Sequence, residues 1–361
     1  MNVSIRTDAS ADIGTGHVMR CLVLAEELRK KNVNVRFICR ELSGNLIEYI
    51  KSKSFKVVSL SSPVHSNPEY NDLKWLQLNW EADALETIEA ISNQPVSDWL
   101  IIDHYAFDKH WELTLRPMVK KIMVIDDLAN RPHVCDLLLD QNLYKNLEKR
   151  YEKLIPSYTT RLLGPTYLLL RHEFRNIQYA TKKKDIVKRI LVSFGGSDPT
   201  NETMKAISAI KLMNRPDITV DIVIGFSNQN YSAIKKYCKD ISNISIHYQI
   251  DYLAELMAKA DLAIGAGGST TWERCYARLP AITIETAANQ SEILSYLSEL
   301  GVVCHLGRSE EVTEQDIANS IMNIINNPEI RKEMMTASES VMQDFNERLI
   351  VDRLLEENHN A

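Results

Sequence analysis

The sequence lacks several features, and each absence removes a class of protein. Its six cysteines, Cys21, Cys39, Cys135, Cys238, Cys275 and Cys304, form no C-x-x-C pair. Zinc-ribbon and dithiol chemistry are therefore set aside, and the thiols are expected to be buried and reduced. No apolar run approaches the roughly 18 residues of a membrane helix. The opening MNVSIRTDAS lacks the basic-then-apolar order of a secretion signal and reads as a first strand. A cytoplasmic location with no membrane partner is expected. There is no basic excess either: the formal net charge is −6, which argues against a general nucleic-acid binder. No internal repeat or low-complexity tract interrupts the chain.

What is present is ordinary globular composition, 45% apolar and 25% charged, over 361 residues. That length favours two domains, each able to bury its own core. Apolar, β-branched runs alternate with helical patterns, the signature of parallel sheets covered by helices. In the first half, strands are expected at 3–6, 35–39, 56–60, 99–103, 122–126 and 136–140, with helices at 18–30, 46–53, 72–91 and 109–119. Residues 161–170 read as a last apolar element of this half, and the basic stretch TKKKDIVK, 181–188, as a solvated hinge. A second series places strands at 189–194, 219–225, 244–247, 262–265, 281–285 and 302–306, followed by a mostly helical tail over 313–357. The expected fold is α/β: two Rossmann-like domains, 1–181 and 187–361, with a cleft between them. Ligands of such sheets bind beyond the carboxyl ends of the strands, so the candidate ligand residues are those at the strand ends.

The first strand runs into RTDASADIGTGHVMRC, a loop that becomes a helix near His17. Gly14 and Gly16 let backbone approach a ligand closely. The third glycine of a dinucleotide fingerprint is missing, since position 19 is methionine. A histidine at a helix N-terminus sits where the dipole disfavours the imidazolium. It can serve as a base or merely cap the loop, and Asp8 can hold it or bond the loop's own amides.

Three strand ends in the second half are richer in hydrogen-bond donors. LVSFGGSDP ends a strand at Gly195, Gly196, Ser197 and Asp198, with a helix expected from about Thr200. This arrangement offers free amides to a phosphate, or makes a tight turn. LAIGAGGSTTW places Gly268, Ser269 and Thr270 at a helix start, with Glu273 in its first turn, where it can accept a ribose diol or simply complement the dipole. AITIETAANQ brings Asn289 and Gln290 to a further turn, as ligand amides or as a cap. Together the three suggest a nucleotide diphosphate site.

RTDASADIGTGHVMRCLVLAEEL, LIIDHY at 100–105, YLLLRHEF at 167–174, SFGGSD and GAGGSTTWE resemble segments of the UDP-2,4-diacetamido-2,4,6-trideoxy-β-L-altropyranose hydrolases of pseudaminic acid biosynthesis. The glycine-rich C-terminal segments are shared more widely with two-domain UDP-sugar glycosyltransferases. The resemblance implies a GT-B architecture and cleavage of the anomeric C–O bond with inversion, using no metal or cofactor. It implies His17 as catalytic base, Arg171, Glu273 and Asn289 as substrate-binding residues, and Tyr105 lining the same pocket.

Elementary chemistry agrees with that mechanism. Amides and hydroxyls at Ser269–Thr271 can stabilise departing UDP, Arg171 can grip phosphate bidentately, and a general base supplies about 10²–10⁴-fold in rate. Asp103, His104, Asp126 and Asp127 are possible ligands, but their spacing resembles no metal site. The expected partner is a UDP-sugar bound by a monomer. The rivals are an inverting glycosyltransferase, a silent nucleotide-sugar sensor and an NAD enzyme.

Overall fold

The computed structural model describes residues 1–62, 70–175, 177 and 186–359; of the expected hinge, 181–185 lie outside them. The chain forms two compact units. The first comprises residues 1–142, 146–169 and 346–361, and the second 143–145 and 170–345. The sequence division left everything after 187 with the second half. The last helix, Leu349–His359, belongs instead to the first unit: the Trp99 indole donates to the Leu354 carbonyl at 3.2 Å, and Thr160 and Lys121 both bond Glu357.

The first unit is built on seven strands: β1 (Asn2–Thr7), β2 (Asn34–Arg40), β3 (Lys56–Leu60), β4 (Ser97–Asp103), β5 (Val119–Ile125), β6 (Leu137–Asp140) and β7 (Thr160–Leu163). They lie in the order β3-β2-β1-β4-β5-β6-β7, and all neighbours are parallel. Every residue of β4 is buried, because helices cover both faces of a parallel sheet. One face packs Ile5, Phe37 and Ile101 against Leu24 and Leu28 of the helix Gly16–Lys30 and against Leu354. The other packs Ile38, Leu100 and Val124 against Trp111.

The second unit carries β8 (Arg189–Ser193), β9 (Thr219–Ile224), β10 (Ile244–Tyr248), β11 (Leu262–Gly265), β12 (Ala281–Glu285) and β13 (Cys304–Arg308), in the order β10-β9-β8-β11-β12-β13, again parallel. In both sheets the strand order reverses once, between β1 and β4 and between β8 and β11. A parallel sheet opens a crevice at its carboxyl edge at that point.

Some elements differ from the sequence expectation. The helix expected over 72–91 is two, Asp72–Leu78 and Trp80–Ser92, because Asn79 leaves helical geometry and its amide turns back to the Trp75 carbonyl. The element expected over 161–170 is only β7, stopped where Pro165 opens a short 3₁₀ turn. β13 begins two residues late because the chain turns through Gly301 at φ 72°.

Candidate active site

The loop after β1 is tied to itself. The Ser10 hydroxyl accepts from the Asp12 and Ile13 amides, and Gly14, at φ 80°, donates its amide to the Ser10 carbonyl. This brings the chain into the helix Gly16–Lys30 with His17 as its second residue, 4% exposed.

Thr7 of β1 is in register with Asp103 of β4. The carboxylate at the end of β4 therefore stands beside the first turn of that helix, where His17 Nδ1 lies 2.6 Å from Asp103 Oδ1. Arg20, three residues on and on the same helix face, grips Asp103 through Nε and Nη2, both at 2.6 Å. Burial pushes the Asp103 carboxyl up, but the charge of Arg20 and the hydrogen bonds from Arg20 and His17 outweigh it and hold the group well below the usual carboxylate range. An ionised carboxylate only accepts hydrogen bonds. His17 Nδ1 is therefore the donor, and Nε2 is the nitrogen able to take a proton.

The same guanidinium reaches Asp127 after β5, Nη1 to Oδ2 at 2.9 Å, and the Tyr105 hydroxyl donates to Asp127 Oδ1 at 2.7 Å. The Tyr105 ring stands edge-on to His17 with centroids 4.4 Å apart. Tyr105 is thus placed beside His17 with its hydroxyl proton directed at a carboxylate.

Asp8 does neither of the things expected of it. Its Oδ1 accepts from the Arg40 amide and from Arg6, each at 2.7 Å, and its Oδ2 faces His104 Nε2 at 3.4 Å. It thus ties β1 to β2, and Asp103 takes the place beside His17. The Ala106 amide donates to His104 Nδ1, so the His104 proton sits on Nε2, toward Asp8; burial lowers the pKa of this ring. Among the described residues, no group of three or more His, Cys, Asp or Glu side chains is placed to hold a metal ion.

The second unit gathers the other sequence candidates. After β8, Asp198 turns its carboxylate onto the Glu202 and Thr203 amides at 2.9 and 3.0 Å. The helix starts at Glu202, and its first-turn amides, expected to be free for a phosphate, already hold an anion from the chain itself. Gly196 packs under Gly225, whose added Cβ would lie 2.5 Å from it; Ser197 stands half-buried in the same turn.

After β11 the glycines divide by role. A Cβ on Gly265 would lie 2.3 Å from the Ser193 carbonyl oxygen, and one on Gly267 would lie 2.7 Å from Leu294, so packing requires both. A Cβ on Gly268 would meet no atom within 4 Å, and the same is true of Gly16. Ser269 is exposed at the N-cap position of the helix Thr270–Tyr276, its side chain making no capping hydrogen bond, and Thr270 is half-buried. Glu273, in its first turn and 6% exposed, receives Arg171 bidentately, Nε at 2.6 Å and Nη2 at 2.8 Å; Arg171 Nη1 also lies 2.7 Å from Glu173. The two residues expected to bind phosphate and ribose thus bind each other. Gln290 braces the glycine loop, its Oε1 accepting from the Gly267 and Thr286 amides, and Asn289 is exposed in the preceding turn.

Sequence reasoning passed over Arg20 and saw Asp103 and Asp127 only as metal candidates. The available signal was the H-x-x-R spacing, which puts both side chains on one face of a first helical turn.

Residues 190–349 match the glycosyltransferase family 28 C-terminal domain. Solved structures share the fold over nearly the whole chain. Acinetobacter baumannii MurG has a TM-score of 0.64 at 14% identity, covering 98% of this chain and 99% of its own. Arabidopsis thaliana UGT89C1, solved in complex with UDP, reaches 0.72 at 12%, covering 99% of each. The chain has a two-domain, Rossmann-like GT-B fold. It is related to the UDP-2,4-diacetamido-2,4,6-trideoxy-β-L-altropyranose hydrolase of Campylobacter jejuni, at 28% identity over 83% of this chain and 97% of that one. An uncharacterized protein of Methanocaldococcus jannaschii is 30% identical over 79% of this chain, which spans 55% of that relative's length.

Proposed function

We propose that this protein is a cytoplasmic, monomeric hydrolase that splits UDP-2,4-diacetamido-2,4,6-trideoxy-β-L-altropyranose into UDP and free sugar, as a step of pseudaminic acid biosynthesis. The observation that carries the reading is the buried His17–Asp103 pair, which leaves Nε2 as the proton acceptor. Similarity to the Campylobacter hydrolase over nearly that protein's full length supports the substrate.

In this mechanism His17 Nε2 takes a proton from water as the water oxygen bonds to the anomeric carbon. The C–O bond to UDP breaks on the opposite face, its electron pair leaves with the diphosphate, and the configuration inverts. Gly268, Ser269 and Thr270 supply amide and hydroxyl donors to the diphosphate, with Gly196 and Ser197 at its edge, and this donor set carries the leaving-group charge without a metal. Glu273 receives the ribose diol, Asn289 and Gln290 line the same loop, and Gly14 and Gly16 let the His17 loop approach the sugar. The test is UDP release from this substrate in EDTA, with wild type beside His17→Ala. Rapid release by wild type and near-total loss in the variant, with UDP still bound, is expected. An unaffected variant or an inactive wild type overturns the reading.

The glycosyltransferase family 28 domain favours a second reading, transfer of the sugar to an acceptor hydroxyl. Transfer that outpaces release of free sugar when acceptor is added would establish it.

A further inference from the structure

We propose that Arg274 is a positioning residue that supplies a buried counter-charge to the substrate diphosphate, from beneath the glycine loop that follows β11. The inference deepens the reading of that loop as the diphosphate site and rests on it.

Arg274 lies on the helix Thr270–Tyr276 and is 3% exposed. Its Nη2 donates to the Ala266 carbonyl at 2.7 Å and to the Thr271 hydroxyl at 2.9 Å. Its Nη1 lies against the end of β11, 2.8 Å from where a Cβ on Gly265 would stand. Gly265 is in register with Ser193 of β8, so the guanidinium sits at the reversal of strand order, where the crevice opens. Its Nε is buried and meets no acceptor. Buried donors without a partner are uncommon in folded proteins, and burying a charge without an opposite one is costly.

Other buried arginines are placed differently. Arg6 meets Asp8 and Asp83, Arg20 meets Asp103 and Asp127, and Arg40 meets Asp83 and Glu86. Arg36 directs Nε and Nη2 to Ser4, Ser97 and the Pro95 carbonyl. Among the described residues Arg274 has no carboxylate within ion-pair distance, although acids stand around it. Glu273 turns both oxygens to Arg171, Glu285 faces Arg308 at 3.8 Å, Glu339 meets Arg278 at 2.8 Å, and Asp198 holds the amides of its own helix. Burial outweighs the through-space charge of Glu273 and pushes the Arg274 guanidinium down to about 10, which leaves it protonated at neutral pH. Burial also pushes the neighbouring Cys275 thiol up to about 12, so that group stays neutral. Holding the Ala266 carbonyl needs only one neutral donor; the full charge is accounted for by the ligand. As the anomeric C–O bond breaks, its electron pair stays on the departing UDP, which gains one negative charge. A fixed cation under the loop stabilises that state without having to reorganise.

The test is calorimetry of uridine, UMP and UDP binding to wild type, Arg274→Gln, Arg274→Met and Arg274→Lys, with a thermal melt of each. Gln keeps a neutral donor for Ala266 and Met keeps only the packing, so the result does not hinge on one variant folding. In both, UDP affinity is expected to fall about tenfold and UMP affinity about threefold while uridine affinity stays within about twofold, because a charge acts in proportion to the charge it meets. Arg274→Lys, which keeps the charge, stays within about threefold of wild type for all three ligands. An equal loss for the three ligands, or no loss in Arg274→Gln, assigns Arg274 to bracing the loop and overturns the counter-charge. A Lys variant as impaired as the Gln variant also overturns it, since charge alone then fails to restore binding. Wild type that binds uridine as tightly as UDP sinks the diphosphate site and the counter-charge together. A charge-graded loss in a protein that binds UDP but does not release it from the proposed substrate supports the counter-charge and sinks the hydrolase reading alone.

Discussion

The two sheets have one topology and opposite chemistry at their carboxyl edges. Along the first, aspartates end the strands or follow them directly: Asp8 after β1, Asp103 on β4, Asp126 and Asp127 after β5, and Asp140 on β6. Each is met by an arginine, respectively Arg6, Arg20, Arg131, Arg20 and Arg150. Along the second, β8 and β11 run out into glycine, serine and threonine, with Asp198 turned onto the amides of its own helix, Arg274 donating to the Ala266 carbonyl and Glu273 paired with Arg171. A crevice at the strand-order reversal is a property of the fold. Whether it manages a proton or cradles an anion is set by which side chains end the strands.

The strongest way to break this comparison is to remove the carboxylate that orients the base. Asp103→Asn presents an amide where His17 needs an acceptor, and kcat is expected to fall about 10³-fold or more, as loss of a histidine-orienting carboxylate does, with UDP affinity retained. Steady-state kinetics beside UDP calorimetry checks this; a parallel loss of UDP affinity would erase the division of labour between the two edges.

The second edge is tested with its glycines. Gly267→Ala drives a methyl group into Leu294 and is expected to cost about 1–3 kcal/mol of stability in denaturant melts. Gly268→Ala meets nothing in the structure, so stability stays within about 0.5 kcal/mol, while UDP affinity falls about tenfold if the diphosphate lies against that backbone. Equal stability losses in the two variants would refute the separation of packing glycines from ligand-facing ones.

The Arg171–Glu273 pair sharpens the comparison further. If Arg171 orients Glu273 toward a ribose diol, Arg171→Met weakens uridine diphosphate severalfold but leaves its 2′,3′-dideoxy analogue unaffected. Equal weakening of both ligands would assign Arg171 to the phosphate.

The smallest effect belongs to Asp140. Its folded-state pKa, raised to about 7, means that the folded protein binds the extra proton between the unfolded carboxylate value of about 4 and about 7. Stability therefore falls as pH rises through that window. Relative to Asp140→Asn, the wild-type Tm should drop from pH 4.5 to pH 7.5; a pH-independent difference would remove the claim. Asp103, held low, has the opposite sign: its contribution is present above the unfolded value and is lost as pH falls.

Much of this was legible from short stretches of chain. The alternation of strands and helices, the His17 loop leading into a helix, and the glycine-rich ends of β8 and β11 all read correctly, because side-chain periodicity and turn chemistry act over a few residues. The break at Asn79 did not read, since the apolar pattern continues through it while one side chain turns back on the helix.

By itself the sequence determined which residue types stand at each strand end, because those choices are local. Only the tertiary structure decided which of them meet. Asp103 reaches His17 from 86 positions away, although Asp8 is far nearer in the chain, because β4 is laid beside β1 in the sheet. Glu273 meets Arg171 across 102 positions, and the final helix finds Trp99 across 255. Strand order and helix docking follow from burying continuous apolar faces, a property of the whole chain that no single motif carries.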